Sequence, residues 1–66
     1  MDDEKRLAVV VNHWIEHNEG HMDEYRKWAQ KAEGLGLKLV VGEIEKAIGS
    51  LSQTNLHLKK ALKEIE

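Results

Sequence analysis

Three histidines, His13, His17 and His21, stand four residues apart in His13-Trp14-Ile15-Glu16-His17-Asn18-Glu19-Gly20-His21. Four residues make about one helical turn, so on a helix these side chains climb one side. Imidazole is the commonest side-chain ligand for transition metals and titrates near neutrality. His13/His17 and His17/His21 each have the spacing that lets two rings converge on one ion. All three on one ion is strained, because His13 and His21 lie about 12 Å apart along the axis. A pair joined by a ligand from a facing element is easier, and His57 supplies one. The best trio is His13, His17 and His57, with His21 or Glu16 adjusting the site. Such nitrogen and oxygen donors suit a divalent transition metal: zinc, nickel, copper or cobalt.

Other chemistries fit the residues less well. There is no cysteine, which removes thiolate nucleophiles, thiolate metal sites and disulfides. The paired E-x-x-H motif of di-iron bundles is missing, because Val10, Trp14, Asn18 and Thr54 stand three residues before the four histidines. Ser50 and Ser52 have no Ser-His-Asp context, and no glycine-rich phosphate loop exists. The chain reads as non-enzymatic. Two readings compete with metal binding. The histidines pack as semi-buried core residues among Trp14, Tyr25 and Trp28, or they act as a pH switch by charging together near pH 6.

The elements that position these residues are helical. Proline is absent, so nothing forbids long helices. Asp2 or Asp3 can cap the first. From there Leu7, Val10/Val11, Trp14, His17, His21, Tyr25, Trp28, Ala32 and Leu35 recur every three or four residues, a heptad-like stripe that contains histidines. Gly34-Leu35-Gly36 interrupts it and supplies a left-handed position to end the helix. A second stripe follows: Leu37, Val41, Ile44, Ile48, Leu51, Asn55, Leu58, Leu62 and Ile65. The reading is one all-α domain over residues 1–66, an antiparallel hairpin with helices at about 3–33 and 37–65 and a turn at 34–36. Gly20 costs about 1 kcal/mol of helix stability relative to Ala, but the stripe passes through it in phase. The β-branched runs Ala8-Val9-Val10-Val11 and Leu39-Val40-Val41 lack the alternation of strands.

Pivoting on Leu35 sets Trp28 opposite Gly42, His21 opposite Gly49, and His13 opposite His57. The two glycines then read as room for the large side chains facing them. Trp14, Tyr25, Trp28 and Asn55 form the expected core and interaction face, with Asn55 as a buried polar residue that fixes register. Two stripes this apolar are too much for a lone hairpin to cover. A homodimer closing into a four-helix bundle is the natural solution. At 66 residues a chain usually needs such a staple, or a metal.

Composition narrows the partners. Net charge is −2 with acids and bases interspersed, and no basic stripe is interleaved with aromatics, so nucleic acid is not expected. The longest apolar run, Leu7 to Val11, is too short for a membrane span or a signal h-region. Together with the absence of cysteine, this gives a cytoplasmic expectation.

The run His13-Trp14-Ile15-Glu16-His17-Asn18, then His21, Tyr25-Arg26-Lys27-Trp28-Ala29, Gly34-Leu35-Gly36-Leu37 and Asn55-Leu56-His57-Leu58, resembles a small uncharacterised helical domain of methanogenic archaea and anaerobic bacteria. Its signature is H-W-x-E-H-N-x-x-H. The resemblance covers the chain from about residue 10. It implies an accessory role beside nickel-binding proteins of metalloenzyme maturation, with such a maturation protein as partner, and it directs attention to His13, His17, His21 and His57. Gly20 departs from the helix former usual there. The leading expectation is a non-enzymatic metal-binding accessory module. The runner-up is a structural or protein-interaction hairpin with packed histidines.

Overall fold

The computed structural model describes residues 2–65 and is all-helical. Two helices, α1 (Asp3–Gly34) and α2 (Lys38–Ile65), pack against each other as an antiparallel hairpin about 52 Å long. The β-branched runs are helical, and α1 passes through Gly20 without a break.

Local chemistry accounts for the ends of α1. Asp2 is extended and its side chain accepts from the Lys5 N–H, while Asp3 and Glu4 place negative charge at the positive end of the helix dipole. At the other end the Leu37 N–H donates to the Ala32 carbonyl and the Gly36 N–H to the Glu33 carbonyl, each at 3.0 Å. Gly36 takes φ 76°. These are the paired bonds and the left-handed residue of a Schellman turn, which satisfies carbonyls that the helix end leaves open. Leu37 then begins the next ladder by accepting from the Val41 N–H.

The seam between the helices follows a heptad on both sides. On α2 the inward residues are Val41, Ile44, Ile48, Leu51, Asn55, Leu58, Leu62 and Ile65, the stripe expected from the sequence except for Leu37, which precedes the helix and is exposed. On α1 they are Ala8, Val11, Ile15, Asn18, Met22, Tyr25, Ala29 and Ala32. This corrects the expected α1 stripe. Leu7, Val10, Trp14, His17, His21, Trp28 and Leu35 lie outside the seam and are exposed. α1 carries two neighbouring apolar stripes, and the one with the bulkier side chains dominates a reading by hydrophobicity. The seam takes the other because alanines at both ends let α1 approach an α2 face already filled with Leu and Ile.

The role proposed for two glycines is also corrected. A Cβ on Gly42 or Gly49 would meet nothing within 4 Å, so neither makes room for Trp28 or for the His21/Met22 level.

Register is set by amides. Asn55 is 4% exposed, the buried polar residue of the core. Its Nδ2 donates to the Ile15 carbonyl (3.1 Å), and its Oδ1 accepts from Asn18 Nδ2 (2.9 Å). Asn55 therefore lies level with residues 15–18, within a residue or two of the Leu35 pivot.

Asn55→Ala leaves the Asn18 amide without its partner and should cost about 1–3 kcal/mol in chemical denaturation. Replacing both amides with Leu should recover that loss, which a double-mutant cycle reads as coupling. Gly49→Ala, in open space on a helix, should raise stability by about 0.5–1 kcal/mol. Gly36→Ala should lower it by roughly 1–2 kcal/mol, because φ there is left-handed.

Candidate functional site

The two flanks of the seam differ completely in chemistry. On one, α1 presents Asn12, Glu19, Arg26 and Glu33 beside Lys38, Glu45, Ser52 and Lys59 of α2. Every side chain there is polar, and Glu19 meets Lys59 across the helices at 3.8 Å. Both partners of that pair are half exposed, so it contributes little stability.

On the other flank α1 presents Leu7, Trp14, His21 and Trp28 at strict seven-residue spacing, and α2 presents Val40, Ala47, Thr54 and Ala61. Neither row holds an Asp, Glu, Lys or Arg. The α1 row is large and the α2 row is small. Leu7 is 48% exposed, Trp14 48% and Trp28 55%. Two open clefts lie along this flank. One of about 500 Å³ is lined by Tyr25, Trp28, Leu39, Val40, Glu43, Ile44 and Ala47. The other, about 540 Å³, is lined by His13, Trp14, His17, Asn18, Thr54 and Leu58. The Lys31 ammonium stands 4.3 Å from the Trp28 ring centre, a cation–π contact at the edge of the first cleft.

The histidines form a ladder on α1. Ring centres of His13 and His17 are 6.1 Å apart, those of His17 and His21 4.6 Å, and His21 stands 6.2 Å from Tyr25. All four histidines are exposed, so the packed-core reading of His17 and His21 does not describe this hairpin. His57 does not enter the cleft beside His13 and His17. Thr54 and Leu58 face it instead. Among the described residues, no three His, Cys, Asp or Glu side chains of the chain are placed to hold a metal. The trio of His13, His17 and His57 is therefore not assembled within a single hairpin. The reason is angular. His17 lies on the outer margin of the apolar flank on α1 and His57 on its outer margin on α2, with the whole flank between them. Glu16, one residue after the buried Ile15, is exposed and falls on the polar side of α1.

Of the expected interaction face, Asn55 is buried, Tyr25 half-buried, and Trp14 and Trp28 lie outside the seam on the uncharged flank. The sequence reading missed the small row Val40, Ala47, Thr54 and Ala61. Its seven-residue spacing was the available signal. No helix among the described residues is long and apolar enough to cross a membrane.

No curated protein and no solved structure matches the chain. A family model does, over residues 7–65, which takes in α1 beyond its first turn, all of α2, the Schellman turn and all four histidines. The chain belongs to the family described as Domain of unknown function (DUF8180).

Proposed function

We propose that this chain is a non-enzymatic self-association module, a helical hairpin that pairs with a second copy through its uncharged flank to form a four-helix bundle. The observation that carries this reading is the asymmetry of the two flanks. A lone hairpin in water gains nothing from keeping formal charge out of the two rows on one side of the seam, with Glu43 and Lys31 only at their edge, while filling the rows on the other side with it. A hairpin that buries one side does.

The occupant is a second copy because the flank is self-complementary. A two-fold axis running along the hairpin sets α1 of each copy over α2 of the other. The large row then meets the small one. Trp14 shares its cleft with Thr54 and Leu58, and Trp28 shares its own with Val40 and Ala47, so each indole is level with gaps between small residues of the opposing row. An axis across the hairpin would instead stack indoles on the bulky row and leave alanine against alanine. Area agrees as well. A face 52 Å long and 14 Å wide has a footprint of roughly 700 Å², near the ~800 Å² per partner of a standard specific interface.

Sedimentation equilibrium should give twice the 7.6 kDa chain mass, and dilution should red-shift tryptophan emission as both indoles meet water. Trp14→Ala should weaken the dimer by about 2 kcal/mol or more, some 30-fold. Ala61→Arg places a charge at an exposed position of the small row and should give a helical monomer, whereas Glu19→Gln on the polar flank should leave the mass unchanged. A wild-type chain that sediments as a monomer at every accessible concentration overturns the reading.

A further inference from the structure

We infer that the self-associated hairpin holds a transition-metal site at each margin of its interface, made by His13 and His17 of one copy and His57 of the other. This rests on the self-association reading, and it assigns the histidines a ligand class that a single hairpin cannot bind with three groups.

The bonds from Asn55 to Ile15 and Asn18 fix α2 against α1. His57, two residues beyond Asn55, is thereby level with residues 13–16. Within one chain this is of no use, because His57 and His17 stand on opposite margins of the flank. A two-fold along the hairpin preserves every level and exchanges the margins. The outer edge of α1, carrying His17 with His13 one turn below, is set against the outer edge of α2 of the second copy, which carries His57.

The pair on α1 already has suitable spacing. Two imidazoles bound to one ion through bonds of about 2.0–2.1 Å have ring centres roughly 5 Å apart. The His13/His17 separation of 6.1 Å needs only small rotations to reach it. Three imidazoles with water as the fourth ligand make a tetrahedral site for zinc, and nickel accepts the same donors. His21 belongs to the row that enters the centre of the interface, so it is a packing neighbour of the site rather than a ligand.

The test uses the full chain and zinc alone. Chelated protein is first sedimented, which decides the self-association reading separately. Calorimetric titration at neutral pH should then give one zinc per chain. His57→Ala and the double variant His13→Ala/His17→Ala should each weaken binding by about tenfold or more while remaining dimeric. The decisive step is mixing the two variants. A heterodimer contains one complete site, so tight zinc binding should return on mixing. Dimers that bind no zinc saturably, or that bind it equally well without His57, overturn the inference and leave self-association standing. Loss in both variants without recovery on mixing also overturns it, because the ligands would then come from a single chain. A chelated chain that is monomeric overturns both.

Discussion

The pairing of Asn55 with Asn18 and the Ile15 carbonyl is the interaction on which the rest of the structure depends. Apolar seams are tolerant, and Leu, Ile and Val meet one another nearly as well after a slip of one heptad as before it. The amides are not tolerant. Sliding α2 by seven residues would carry Asn55 to the level of Val11 or Met22, leaving its amide buried without partners at a cost of about 1–3 kcal/mol. That difference is comparable with what a small hairpin has to spare. One register therefore prevails, and with it the level of every residue on α1 relative to α2. The position of Trp14 beside Thr54, and the level that His57 shares with the His13 turn across the flank, are consequences of this one contact.

How far the hairpin can be read from its residues follows from the same logic. α2 is legible because most of its Leu and Ile residues occupy a single stripe, and the periodicity names all eight inward positions, adding only the exposed Leu37. The turn is legible because Gly36 does something other residues do poorly. α1 misleads because two stripes lie side by side. Hydrophobicity favours the row with Trp14 and Trp28, whereas packing favours the row with Ala8, Ala29 and Ala32. Which wins depends on how much volume the partner helix already fills, and that is a property of the pair. Asn18 offered a hint, since a polar residue in phase with Val11, Ile15 and Met22 has a natural partner in Asn55.

The histidines follow from the same displacement. Reading them into the seam placed them among buried aromatics. One step round the helix, they stand in the open beside a flank without formal charge. Their rings follow one another along α1 at 6.1 and 4.6 Å, and among the described residues no third donor of the same hairpin joins a pair of them. The two-helix fold leaves about half of each row tryptophan uncovered.

The short Schellman turn has a consequence for how the chain comes together. All contacts between the helices are nested around Gly36, so each further pair that forms closes only a slightly larger loop than the last. Closure can run outward from the turn like a zip, without any long-range search, the arrangement associated with fast folding. The same nesting means that opening begins at the other end, where Ala8 and Ile65 meet last and part first. The order runs from the glycine turn past Tyr25 and Ile44 to the amide pair, which stands roughly midway and divides a half that closes early from a half that breathes.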